Sequence, residues 1–120
     1  MARQKFRPII GCSNYSIGSN GQVKRLRHKA HGKRYKILPE KIIDQHINRQ
    51  SVVYVNVTDD NGKIKVFSVQ KLVLSTYGKP GVTYYKASDD PFNNRFDVFI
   101  EKDMYDRMKY KPFIFKKIKL

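Results

Sequence analysis

A chain of 120 residues, with 40% apolar residues, eight Tyr and seven Phe, is long enough to bury one core and too short for two comfortable ones. Lys and Arg outnumber Asp and Glu 25 to 10, a formal charge of +15 with a pI near 10; this points to a polyanionic partner, nucleic acid first, with an anionic membrane surface or an acidic protein behind it. A single cysteine, Cys12, excludes an internal disulfide and a cysteine-rich zinc site, and no apolar run approaches the length of a membrane span.

Charge is segregated along the chain. Lys+Arg against Asp+Glu is 11 to 1 over residues 1–41, 5 to 3 over 42–80, 4 to 6 over 81–107 and 5 to 0 over 108–120. Between Arg3 and Lys36 there are ten cations and no carboxylate; the first acidic residue is Glu40. A run this one-sided repels itself unless an anion lies against it. The N-terminus is positive but has no apolar stretch behind it, so it does not read as a secretory signal.

In chain order, Phe6 to Ile10 is short and holds Pro8, which predicts an edge strand or an extended lead-in. Tyr15 and Ile17 on one side of Gly18-Ser19-Asn20-Gly21, and Val23 on the other, predict a hairpin. Asn20-Gly21 suits a type I′ turn, in which both central residues take positive φ. The returning strand is predicted over Gln22 to Arg27, followed by a basic loop over 28–36. Pro39 to Asn48 fits a short helix, a strand or a loop equally well, because Ile42, Ile43 and Ile47 have partial helical spacing yet are β-branched.

Val52 to Thr58 is the clearest strand, and Asp59-Asp60-Asn61-Gly62 turns it back into Lys63 to Phe67, where Ile64 and Val66 alternate with lysines. Ser68 is placed to cap a helix that buries Val69, Leu72, Val73 and Tyr77 and stops at Gly78 and Pro80. Val82 to Lys86 and Arg95 to Ile100 read as strands joined by the turn-rich Ser88-Asp89-Asp90-Pro91. A short helix fits Lys102 to Lys109, and Pro112 to Leu120 alternates apolar and basic residues. The fold class that follows is α+β: a small β-rich domain of antiparallel hairpins with one or two short helices.

The order of residues also resembles a known pattern. Phe6-Arg7-Pro8-Ile9, Tyr15-Ser16-Ile17, Gly21-Gln22-Val23-Lys24, Leu38-Pro39, Asn61-Gly62-Lys63, Phe67-Ser68-Val69 and Leu72-Val73 follow one another as in the nuclease-associated modular domain that precedes the catalytic module of phage-type HNH homing endonucleases. The resemblance covers roughly Phe6 to Tyr77. It departs from the family at Gly18, where Ser is usual, at Gln70, where the helix usually carries His, and in a longer stretch before Val52. It implies a small β-rich module over 1–80 that helps to hold DNA, with a divergent extension over 81–120 packed on the same domain, and a phage or mobile-element origin.

The cutting chemistry of such nucleases is not legible in this chain. An HNH module needs a general-base His and a metal-binding His, and no histidine follows Tyr77. His28 and His31 sit among Lys29, Lys33 and Arg34, which repel a cation. Asp59-Asp60-Asn61-Gly62 lacks the alternate ligands of a calcium loop. Asp89, Asp90, Asp97, Glu101, Asp103 and Asp106 read as a solvated face, and Cys12 as a packing residue. The expectation is a protein without catalytic residues, metal or cofactor, which binds nucleic acid, DNA favoured, in the cytoplasm of an infected or host bacterial cell or within a virion. Phosphate contacts are expected from Lys24, Arg25, Arg27, Lys29, Lys33, Arg34 and Lys36, with Arg3, Lys5 and Arg7 beside them, and Tyr15 and Tyr35 are aromatic partners within the run. The alternative of another class is a structural or adaptor component of a phage particle, its basic face toward genome or an acidic neighbour and residues 81–120 making the protein contact.

Overall fold

The computed structural model describes residues 5–29, 36–111 and 116–119. The chain opens with β1 (Phe6–Ile9), β2 (Cys12–Gly18) and β3 (Val23–Arg25), continues through four two-residue strands, β4 (His28–Lys29), β5 (Ile37–Leu38), β6 (Lys41–Ile42) and β7 (His46–Ile47), and then forms the hairpin β8 (Val53–Thr58) and β9 (Ile64–Ser68). Helix α1 (Val69–Tyr77), β10 (Thr83–Lys86), a single 3₁₀ turn (Phe96–Val98), β11 (Phe99–Glu101), α2 (Lys102–Arg107) and β12 (Lys116–Lys119) complete it. All ladders are antiparallel, in sheets ordered β1-β2-β3-β6, β7-β8-β9, β11-β10-β12 and the pair β4-β5. This is the small β-rich α+β domain that the turn chemistry predicts.

Helix α1 is held between the first two sheets because its apolar side meets theirs. Val69, Val73 and Leu74 are fully buried with Ile17 and Val23 from one sheet and Val55 and Val57 from the other. Each such side chain contributes about 1.5–3 kcal/mol by leaving water. Ser68 starts the helix as predicted, its hydroxyl accepting the Lys71 amide at 3.4 Å. The buried set includes Leu74, and Tyr77 lies at the margin, where its hydroxyl is 2.7 Å from the carbonyl oxygens of both Lys5 and Ile17. Gly78 ends the helix in extended backbone, φ −82°, so the stop owes nothing to a left-handed residue.

Several expectations change in detail. At the first hairpin only Gly21 has positive φ, +84°, and Asn20 does not. The Asn20 side-chain oxygen accepts the Gln22 amide at 3.0 Å, and the Gly21 amide donates to the Gly18 carbonyl at 2.9 Å, so the side chain closes the turn that two left-handed residues were expected to make. Gly18, one of the departures from the resembled pattern, has no room for a side chain: a Cβ there would stand 2.4 Å from Asn20 Oδ1 and 2.9 Å from the Phe6 ring. Residues 39–48 form two short strands and no helix. The predicted strand Arg95 to Ile100 begins as the 3₁₀ turn, which brings the Phe96 ring within 6.0 Å of Tyr77 and 6.4 Å of Tyr84. On β9 Phe67 faces the core opposite Val55, while Ile64, Lys65 and Val66 are all exposed.

The segment after residue 80 is built into the same body. The Phe96 amide donates to Ser19 O at 2.7 Å, the Lys79 amide donates to the buried Tyr84 hydroxyl at 2.7 Å, and the Asn94 backbone lies against Gly21. Buried Lys86 donates to Asp90 O at 3.1 Å and Asn94 Oδ1 at 3.2 Å, which fixes the 88–95 loop.

Candidate nucleic-acid interface

The basic run folds into an antiparallel ribbon whose root, β3 and β6, belongs to the four-stranded sheet and whose outer part, β4 and β5, is two-stranded. β3 pairs with β6 through Lys24↔Ile42 and Arg25↔Lys41, and β4 pairs with β5 through His28↔Leu38 and Lys29↔Ile37. In every pair the residue numbers sum to 66, as they do in the hydrogen bond from the Ile43 amide to Val23 O (2.8 Å). The four short strands are therefore one antiparallel ribbon in a single register. The interruption has a covalent cause: Pro39 has no N–H to donate to a ladder. Its carbonyl oxygen instead accepts from Arg25 Nε at 3.2 Å and Nη2 at 3.0 Å, while the Leu26 amide crosses to Asn14 O at 2.8 Å. Sequence reading placed a loop over 28–36; its first two residues are β4, Lys36 precedes β5, and residues 30–35 lie outside the described residues.

Beyond its root the ribbon is largely open to solvent. Leu26, Arg27, Lys29, Lys36, Ile37, Glu40, Lys41 and Ile42 are all exposed. The radius of gyration, 16.0 Å, exceeds the roughly 13.6 Å expected of a compact chain of this length, and the long dimension is 59 Å.

The ribbon's cations divide by use. Lys24 pairs with Glu40 at 3.3 Å and lies 4.5 Å from the centre of the Phe6 ring. Arg25 is held by Pro39 O. Arg7 donates to Thr76 O at 3.2 Å and stacks 5.0 Å from the Tyr77 ring centre. These three expected contacts are engaged by the protein itself. Arg27, Lys29 and Lys36 are exposed and, among the described residues, have no side-chain partner; the same is true of Lys5 near the first hairpin. Lys41, absent from the expected contacts, joins them as an exposed, unpaired cation opposite Arg25. Its signal in the sequence was its place in the basic segment just after Glu40. Arg3, Lys33, Arg34, His31 and Tyr35 lie outside the described residues.

The aromatic and metal expectations sort themselves in the same way. Tyr15 is a core residue, its ring 6.4 Å from that of His28, so it is not a free stacking platform. His28 Nδ1 donates to Leu26 O at 2.8 Å across the bend of the ribbon. Among the described residues no three His, Cys, Asp or Glu side chains are grouped to hold a metal ion. Asp59 accepts from the Asn61 and Lys63 amides and closes the β8–β9 turn, while Asp60 accepts from the Ser13 amide at 2.8 Å and hydroxyl at 2.6 Å. Those two bonds hold the Asp60 carboxyl below its ordinary pKa. Burial first, then the nearby Asp59 and Asp60, pushes the Cys12 thiol upward.

No helix among the described residues is long and apolar enough to cross a membrane. No protein-family model, no curated protein and no solved structure matches this chain.

Proposed function

We propose that this protein is a non-catalytic DNA-binding module that lays a basic β-ribbon against the duplex. The observation that carries the reading is the ribbon of single register, on which Arg27, Lys29, Lys36 and Lys41 are exposed and have no partner among the described residues. Unpaired, exposed cations on one element gain most when phosphates replace the solvent and release counterions. The shape favours DNA over RNA, because the major groove of B-form DNA admits a two-stranded ribbon, while that of A-form RNA is too deep and narrow for side chains to read. The resemblance of residues 6–77 to a DNA-holding accessory module of phage nucleases supports the same reading and a phage origin.

The division of labour among cations gives the mechanism. Arg25 and Lys24 set the angle and root of the ribbon, and the free cations touch phosphates, which fixes position on the duplex without selecting sequence. The test is a titration of a fluorescein-labelled 20-base-pair DNA duplex and its RNA counterpart, followed by anisotropy. Tighter binding to DNA, lost in the Arg27→Glu/Lys36→Glu variant, is the expected result. Absence of binding at low salt, or wild-type affinity in that variant, refutes the reading.

A further inference from the structure

Ile10 is 98% exposed, Ile64 74% and Val66 64%, an unusual display of β-branched residues on so polar a chain. Ile10 and Val66 lie on the rim of one groove of about 900 Å³, between β1, β9 and α1, with Leu72 and Phe67 among its lining. Among the described residues β1 and β9 are each the outermost strand of their sheets, so each presents an unpaired backbone edge. An exposed edge flanked by apolar side chains is a template for another strand.

Charge decides which strand. The groove lining holds Arg7 and Lys71 and no carboxylate. Lys71 and Lys63 have no side-chain partner among the described residues, while Lys65 on the open strand lies 3.9 Å from Asp59. Pairing β9 with β9 of a second copy would bring these lysines together on two chains of +15 each, so self-association is opposed. We propose that the β9 edge and its groove receive an extended acidic segment of a partner protein, in which β-branched residues alternate with Asp or Glu. Its apolar side chains enter the groove between Ile10, Val66 and Leu72, and its carboxylates reach Lys71 and Lys63. This surface is separate from the ribbon, so one chain would hold DNA and an acidic protein segment together.

The probe is a blocked octapeptide of alternating Val and Glu, titrated into the full-length ¹⁵N-labelled protein. Expected are slowed hydrogen exchange at the amides of residues 64–68 and a dissociation constant at least tenfold weaker in Ile10→Ser/Val66→Ser, whose side chains are exposed and leave the core intact. Lys71→Glu should weaken it several-fold, and a Val/Lys peptide should not bind. The same variants should keep wild-type affinity for the labelled DNA duplex, which separates this surface from the ribbon. The proposal is overturned if the peptide protects no amide of 64–68, if the Ile10/Val66 variant binds it as wild type does, if the Val/Lys peptide binds equally, or if that variant loses DNA instead.

Discussion

Replacing Arg27 and Lys36 together by Ala removes two of the four cations on the ribbon that have no partner among the described residues. Each phosphate neutralised on B-form DNA contributes about −0.9 to the slope of log Kobs against log salt. The four free cations then give a slope of about −3.6, which is a loss of about 150-fold between 50 and 200 mM salt. In Arg27→Ala/Lys36→Ala the slope from the same set falls to about −1.8 and the loss to about 12-fold. Contacts by Lys33 and Arg34 would steepen both lines equally, so the difference of about 1.8 is the quantity to measure. Anisotropy of a labelled duplex at five salt concentrations supplies it. Arg25→Ala is the control: it deletes the bonds to Pro39 O and should lower thermal stability while leaving the slope near the wild-type value. Identical slopes for wild type and the double variant, or the larger change at Arg25, would refute the assignment of free and engaged cations.

Four further outcomes follow from the body of the fold. Leu74→Ala empties a fully buried site between α1 and the sheets and should cost about 2–5 kcal/mol in denaturant unfolding. Ser51 holds φ +63° in the β7–β8 turn, so Ser51→Gly should stabilise by about 1 kcal/mol, read as a raised Tm. Asp60 has a folded pKa below 3.8, so its contribution to stability is complete above that value and lost as pH falls through the lower, folded one; Ser13→Ala, which keeps the amide bond, should move its titration back toward 3.8 in carboxyl NMR, and an unchanged titration would show that the Ser13 hydroxyl is not the main cause. Cys12 is 1% exposed with its thiol pKa raised, so alkylation should be slow in the native protein and accelerate with denaturant in step with unfolding.

What was legible in the sequence was local. The β8–β9 hairpin follows from a turn whose Asp59 side chain caps its own backbone, and α1 begins where the Ser68 hydroxyl meets an amide three residues on. Long-range choices were not legible. Nothing local tells Phe96 to leave its strand and pack beside Tyr77 and Tyr84, or tells β9 to expose Ile64 and Val66. The candidate interface shows the same limit. A count of charges treats Arg25 and Arg27 alike, although a carbonyl orphaned by Pro39 engages the first and leaves the second free. The ribbon itself was hidden because its strands are two or three residues long and their shared register emerges only from pairing across the bend.

The bond from the Phe96 amide to Ser19 O has a consequence for how the chain is made. Synthesis proceeds from the N-terminus at about 5–20 residues per second, so roughly 4–15 s separate the emergence of Ser19 from that of Phe96. For most of that interval the ten cations between Arg3 and Lys36 have left the ribosome while the turn beside them lacks its clasp. The nascent chain therefore meets the polyanions of the cell, ribosomal RNA nearest among them, before its body can close. A brief association with RNA during translation would be a by-product of the order in which this fold is assembled.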